Sequence, residues 1–273
     1  MVHLLAALGV PGAGSKSRSL LRAGYRVCRS SVQNILKEEL VTPRPTLCPD
    51  PIDGSKKTAP ATKKVVKARH PLHVVMADIT EVRSLFGIFS FRIAVVFDVF
   101  SRFPLASKVF LKEPSAQEMS GLVSETVEMF GKVKHFVSDQ GACFTGEAFK
   151  AALSDLGIKQ RFGALGQHGS IALIERFWKT LKGLIRLPLF QPLIKEDLEN
   201  RLASALASYS HFRPHSALTG ATPAELFFGL PQPHLKAVPA PRGRPGDPCP
   251  DLQVEIVFLD AERLFPVLLR KAA

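Results

Sequence analysis

With 273 residues, the chain can hold one large domain or two smaller ones, and 46% apolar with 8% aromatic residues fits a soluble globular protein with an ample core. The net charge of +12 favours an anionic partner. No apolar run reaches the length of a membrane span. Met1–Val10 lacks the basic start of a signal peptide and is interrupted by Pro11. Cys28, Cys48, Cys143 and Cys249 form neither a CxxC pair nor a Cys/His cluster, which excludes a zinc-finger type of site and leaves reduced thiols as the expectation.

The charge is uneven. Residues 1–70 hold 13 Lys/Arg against 4 Asp/Glu, a surplus of +9, whereas residues 71–273 hold 23 against 20, a surplus of +3. A basic arm precedes a balanced body, and nucleic acid is the first partner to expect for it; no long basic amphipathic helix supports a membrane surface. Within the arm, residues 18–40 read as helix, turn, helix. Ser19–Ala23 is a short helical piece and Gly24 offers the turn. A second helix begins near Arg29, capped by Ser30 or Ser31, with Val32, Ile35 and Leu36 facing inward. Ser31, Gln33, Asn34 and Lys37 remain outside, where they can touch bases or phosphates. This segment resembles the recognition helix of a helix-turn-helix, although residues 2–10 are barely long enough for the third helix such modules carry upstream. Residues 41–70 form a basic, proline-rich linker, with Pro43, Pro45, Pro49, Pro51 and Pro60 among Lys56, Lys57, Lys63, Lys64, Lys67 and Arg69.

At residue 71 the pattern changes. Leu72–Thr80 is a buried strand expected to end in the carboxylate of Asp78. Phe86–Phe97 is a second strand, and Asp98–Arg102 a tight turn holding a local ion pair rather than a metal ligand. Phe103–Leu111 completes an antiparallel meander. Ser115–Phe130 is a helix with a capping box between Ser115 and Glu118. His135–Ser138 is a short strand that delivers Asp139, with Gly141 allowing a sharp turn. Ala148–Leu156 is helical, Ile158–Phe162 is a strand, and a loop with Gly163, Gly166 and Gly169 follows. The order implies an α/β sheet with parallel strands added to the meander.

Ser170–Gly183 then reads as an amphipathic helix. Ile171, Ile174, Trp178 and Leu181 form its apolar stripe, which places Trp178 in the core. Glu175, Lys179 and Lys182 project from the other side. Alone, such an acid beside two bases is an ordinary solvated pair. With Asp78 and Asp139 delivered by strands, it becomes the third of three hard oxygen ligands suited to a pair of Mg²⁺ ions.

This constellation resembles the catalytic core of retroviral integrases and of the related bacterial insertion-sequence transposases. The resemblance lies in Met-Ala-Asp78-Ile-Thr, Val-Ser-Asp139-Gln-Gly and Ile-Glu175-Arg-Phe-Trp-Lys-Thr-Leu-Lys182, with 35 residues between Asp139 and Glu175. Phe212-Arg-Pro-His215 and Ala221-Thr-Pro-Ala-Glu225 resemble the segments that close such a core. It covers roughly residues 70–230. It implies an RNase H-like mixed five-stranded sheet flanked by helices, in a chain organised as a helix-turn-helix-like segment (1–40), a linker (41–70), the core (71–230) and a proline-rich stretch with a short β-containing tail (231–273).

The resemblance also implies a metal-dependent DNA transposase or integrase. Asp78, Asp139 and Glu175 would be both catalytic residues and ligands of two Mg²⁺ or Mn²⁺ ions. Asp78 and Asp139 would share one ion and Glu175 would complete the other. Lys179 and Lys182, with Arg176, would hold DNA near the metals, and Gln167 and His168 in the loop 163–169 would contact target or end DNA. The partners would be element ends and target DNA, bound by at least a dimer in a cytoplasmic, nucleoid-associated setting with no membrane. A second class of function stays open, a catalytically inactive, truncated DNA-binding derivative that represses transposition. A nuclease for RNA–DNA hybrids would share the fold, but the Arg-Pro-His and Thr-Pro-Ala-Glu segments argue against it. His215 is expected to pack rather than to react, and Asp155 to lie on the surface.

Overall fold

The computed structural model describes residues 2–7, 10, 12–38, 68–84, 88–162, 168–185, 194–239, 254–259 and 265–270. The linker prediction for residues 41–70 therefore lies almost wholly outside the described residues. Among those described, no helix is long and apolar enough to cross a membrane.

Three helices open the chain: α1 (Val2–Ala7), α2 (Gly12–Arg22) and α3 (Arg29–Glu38), with the two-residue strand β1 (Tyr25–Arg26) between the last two. Val2, Leu5, Leu20 and Val32 bury against one another, and Ile35 and Leu36 pack beside them. The helical pair is as expected, with Gly24 at φ 92° in the turn. Two details differ. The first helix of the pair starts at Gly12 rather than Ser19, because Leu20 and the buried Lys16 stem give a Gly- and Ser-rich segment something to pack on; Lys16 Nζ donates to the Val10 carbonyl at 2.6 Å. And α3 is capped by Cys28, not by a serine: the Ser31 N–H donates to Cys28 Sγ at 3.3 Å, while Val32 N–H closes the first helical turn onto the Cys28 carbonyl.

The body is a five-stranded sheet of β2 (Val74–Ser84), β3 (Phe89–Asp98), β4 (Pro104–Phe110), β5 (His135–Ser138) and β6 (Lys159–Phe162), in the order β4-β3-β2-β5-β6. The first three are antiparallel, and β5 and β6 add in parallel. Parallel addition requires crossovers. They are α4 (Ala116–Phe130), then α5 (Ala142–Thr145) with α6 (Glu147–Asp155). The Ser115–Glu118 capping box forms as its sequence dictates. This is the mixed RNase H-like sheet that the sequence implied.

Alternation along the strands makes two cores. Val75, Ala77, Ala94 and Val96 face α4 and α6, with Met119, Leu122, Phe136, Phe144 and Phe149 between. Met76, Val82, Ile93, Val95 and Phe97 face the opposite side. There they meet α7 (His168–Ile185) and α8 (Lys195–Ala207), through Phe177, Trp178, Leu181, Leu198 and Leu202. Each buried Val, Leu, Ile, Phe or Met side chain among these contributes about 1.5–3 kcal/mol of transfer free energy.

A π-helical turn, Ser208–Phe212, leads to the short α9 (Pro223–Phe227), which carries its own Thr222–Glu225 capping box. Strand β7 (Val238–Pro239) pairs in parallel with β1, and Arg22 bridges to Glu225 at 2.7 Å. The N-terminal helices are thereby fastened to the end of the core. The tail is a hairpin of β8 (Val254–Phe258), as expected, and β9 (Pro266–Arg270). Its Phe265 enters the second core and Leu268 packs on the N-terminal one.

Candidate active site

Asp78 does not end its strand. The expectation of a terminal carboxylate is corrected by the long ladder between β2 and β3, which runs from Val75↔Asp98 to Ser84↔Phe89 and carries β2 six residues past Asp78. What ends near Asp78 is the parallel pairing with β5, whose register stops at Met76↔Val137. Extended by two residues, that register sets Asp78 beside Asp139. Both are then on the sheet face that Met76 and Val137 share, the face covered by α7. The fold thus places two carboxylates side by side where one neighbouring strand stops and leaves room.

The surroundings of the two differ. Asp78 is half-buried. Burial lifts its carboxyl above the usual aspartate range and the nearby Asp139 charge adds to the lift; the Trp178 indole, the Ile79 backbone N–H and the Lys182 charge oppose it. Asp139 is exposed, and its Oδ1 accepts the Gly141 N–H at 3.0 Å. Gly141 has φ −58°, ordinary for any residue, so the turn itself does not demand glycine. What its missing side chain secures is space: a Cβ there would stand 3.1 Å from Asp139 Oδ1.

Helix α7 is tied to β2 at two levels. The Trp178 indole N–H donates to Asp78 Oδ2 at 2.7 Å, and Lys182 Nζ donates to the Glu81 carbonyl at 3.1 Å. Helix and strand therefore run side by side in the same direction. Glu175 lies three residues before Trp178, one turn back on the Asp78 side of the helix. Glu175, Arg176, Lys179 and Lys182 are exposed, while Trp178 and Leu181 are buried, as the amphipathic pattern required, and Phe177, outside the predicted stripe, is buried with them. The helix begins at His168 and ends at Ile185, so Ser170 and Gly183 lie inside it rather than at its ends. Gln167 lies outside the described residues; His168 is in the first turn of α7, and its side chain lies outside the description.

Trp178 has a second task that the apolar stripe concealed. Its ring fills the core, with Phe177 at 5.3 Å, yet its N–H holds one oxygen of Asp78. A buried indole must find an acceptor, and here it finds the Asp78 carboxylate.

The donor chemistry fits a hard divalent cation. Two adjacent carboxylates, each oriented by an N–H donor, keep acceptor capacity for a cation, and their mutual repulsion is relieved by positive charge between them. Among the described residues no three His, Cys, Asp or Glu side chains stand close enough to hold a metal ion. The aspartate pair is the part of the triad that the fold brings together.

Other candidates fall as expected. Asp98 is fully buried and structural, but its turn is held differently from the anticipated ion pair. The carboxylate accepts from the Leu72 N–H (2.8 Å), the Ser101 N–H (2.7 Å) and the Ser101 hydroxyl (2.6 Å), because those donors sit closer than the Arg102 guanidinium. His215 packs edge-on to Tyr209 at 4.6 Å, and burial pushes its pKa down to about 4. Asp155 is exposed, as are Ser31, Gln33, Asn34 and Lys37 on α3.

Residues 68–168 and 156–223 match two family models, both of the integrase core domain. Over 115 residues, 42% of this chain, the sequence is 32% identical to uncharacterized protein K02A2.6 of Caenorhabditis elegans, and the aligned part spans 9% of that protein's length. Among solved structures, the chain is similar to the HTLV-2 integrase catalytic core domain in complex with magnesium, with 20% identity, TM-score 0.47, and coverage of 59% of this chain and 99% of that one. It is similar also to the catalytic core domain of BIV integrase, with 21% identity, TM-score 0.46, and coverage of 58% and 95%.

Proposed function

Because the chain belongs to the integrase core-domain family, we propose that it is a DNA transposase or integrase that cleaves DNA and joins strands with Asp78, Asp139 and Glu175 as its catalytic carboxylates. The family is one of polynucleotidyl transferases of the integrase and transposase type. The observation that carries the finer reading is the register of β2 and β5, which ends at Met76↔Val137 and, carried two residues further, sets Asp78 beside Asp139, with Glu175 one turn from the residue that holds Asp78.

Two Mg²⁺ or Mn²⁺ ions bound by these carboxylates would supply activation of the attacking water or 3′-hydroxyl and stabilisation of the departing 3′-oxygen. The chain's own residues prepare the site. Trp178 fixes Asp78 Oδ2 and so orients Oδ1, and the Gly141 N–H does the same for Asp139. Lys182, anchored on the Glu81 carbonyl, places a positive charge near Asp78, and Lys179 and Arg176 offer phosphate contacts on the exposed side of α7. The exposed Ser31, Gln33, Asn34 and Lys37 of α3 would read or grip DNA at a distance from the chemistry, and joining two ends calls for at least a dimer.

The test is strand transfer with labelled DNA ends and a supercoiled target, in Mg²⁺ or Mn²⁺ and again with chelator. Joined products that depend on metal and vanish in Asp139→Asn support the proposal. DNA binding without cleavage or joining in any metal would replace it with the repressor reading.

A further inference from the structure

The parallel half of the sheet is built from three stretches without an acid. Residues 68–77, 131–138 and 157–162 contribute Arg69, Lys132, Lys134, Lys159 and Arg161 and no Asp or Glu, although residues 71–273 as a whole carry 20 acids against 23 bases. The fold brings these stretches together. His135 pairs with Lys159 and Val137 with Arg161 in the β5–β6 register, and the Lys159 N–H donates to the Lys134 carbonyl at 3.1 Å. The Lys134 N–H donates in turn to the Leu72 carbonyl at 3.2 Å. The rings of His70, His73 and His135 pack in succession, with centroids 4.9 and 5.5 Å apart, and the Arg69 N–H holds His73 Nδ1 at 3.2 Å.

Register partners in a sheet face the same side. Arg161 and Lys159 therefore lie on the side of Val137 and His135, which is the side of Asp139 and of α7. Arg161 is two residues back from Asp139 and one strand across, roughly 8 Å away at the backbone, and Lys159 follows two residues further on. Both are exposed, as are Lys132 and Lys134. Among the described residues, none of these bases forms an ion pair. Elsewhere on the core the charges come mixed: Glu81 bridges Arg83 and Arg92, Arg92 reaches on to Glu113, and Lys150 on α6 meets Glu147. The field is felt at His135, whose pKa is lowered by burial and lowered further by the charges of Arg161, His73, Lys134 and Lys159. A base or two on β6, an outer strand of the sheet, guards its open edge against strand addition. That role explains neither Lys132 and Lys134 beyond β6 nor the missing acids in all three stretches.

An unneutralised row of bases fits a polyanion whose charges also lie in a row. His135 stands four residues before Asp139, about 13 Å along the strand, and over that length one strand of DNA presents about four phosphates. We infer that Arg161, Lys159 and Lys134 form a track for the DNA sugar–phosphate backbone, leading along β5 and β6 away from the aspartate pair. The row of bases argues for DNA by its charge and spacing; that the bound strand is the one cut or joined rests on the proposed function. The track lies across the aspartate pair from Lys182, so a strand passing the carboxylates is gripped on both sides of them.

The experiment measures affinity for a fluorescent DNA duplex by anisotropy across a salt series, for wild type, Lys159→Gln/Arg161→Gln and Lys150→Gln/Lys195→Gln. The last removes the same charge from bases already paired with Glu147 and Glu199. Each lost phosphate contact should flatten the slope of log affinity against log salt by about 0.9, while the Lys150/Lys195 control keeps the wild-type slope. Should the Lys159/Arg161 variant fail to fold, Lys134→Gln reads the same slope. Ethylation interference on a branched strand-transfer duplex then places the contact. Ethyl groups on about four consecutive phosphates beside the joined bond should block wild type and not Lys159→Gln/Arg161→Gln. Interference in the end arm assigns the track to element-end DNA, and interference in the target arm assigns it to target DNA. A wild-type slope in the variants, or flattening equal to that of the control, overturns the track, and interference far from the joined bond overturns its direction. A flattened slope in a protein that joins no DNA upholds the track and refutes the proposed catalysis, so the two claims fail separately.

Discussion

Replacing Trp178 with phenylalanine keeps a ring in the core and deletes only the N–H that holds Asp78 Oδ2 at 2.7 Å. A hydrogen bond to a charged group is worth about 1.5–3 kcal/mol. Losing this bond should therefore lift the Asp78 carboxyl further, beyond the rise that burial already causes. The proposed reaction needs the ionised carboxylate. The acid limb of the pH–rate profile for strand transfer should therefore move to higher pH, and affinity for Mg²⁺ below neutral pH should fall. The smaller ring also leaves a gap, costing well under the ~3–5 kcal/mol of a full aromatic truncation. Leu181→Ala, one turn along α7 and fully buried, separates packing from charge: it should cost about 2–5 kcal/mol of stability and leave the acid limb in place. An acid limb in Trp178→Phe that coincides with wild type, at equal metal affinity, would refute the orienting role of the indole.

Further outcomes follow from the same structure. Because Asp78 titrates above its ordinary value in the folded protein, its ionisation removes stability as pH rises through that raised value. Without metal, Asp78→Asn should thus melt no lower than wild type at pH 8, with the advantage vanishing in acid. Arg22 and Glu225 form a largely buried pair, 17% and 7% exposed, and Arg22→Met should cost about 3–5 kcal/mol by chemical denaturation. Burial works against ionisation of Glu225, but Arg22 and the Thr222 N–H hold it below the usual range. The pair's stabilisation is therefore complete above the ordinary glutamate value and lost as pH falls through the lowered one, so Arg22→Met should flatten the acid side of the stability curve. Hydrogen bonds from Ser30 and Ser31 bring the exposed Cys28 thiol down to about 7, whereas burial pushes Cys143 up to about 11. At pH 7 an alkylating reagent, followed by peptide mass spectrometry, should modify Cys28 far faster than Cys143; equal rates would contradict the α3 cap.

The order of elements in the core could be read from the sequence because local rules and tertiary needs agree there. The apolar run Ile93–Phe97, the Ser115–Glu118 box and the three-plus-two alternation of strands and helices each have one sensible outcome. The far end of β2 was not legible: Thr80, Glu81 and Arg83 look like an exit from the sheet, and only the cross-strand partners on β3 keep them in it. The start of α2 was hidden for the opposite reason, since glycines and serines form a helix there only with α1 and α3 to pack on. In the site, the carboxylates and their spacing stood out, but the Trp178–Asp78 bond did not, because an indole on an apolar stripe reads as filler until its strand partner is known.

The central claim is that the chain joins DNA strands with Glu175 completing the aspartate pair. The measurement that tests it most directly is strand transfer in Mg²⁺ for wild type beside Glu175→Gln, with DNA binding followed in the same samples. Joined products from wild type, none from the variant, and equal DNA affinity in both are the result this account predicts. Equal joining by both proteins would remove Glu175 from the chemistry, and DNA binding with no joining by either would mean that the chain occupies DNA without acting on it.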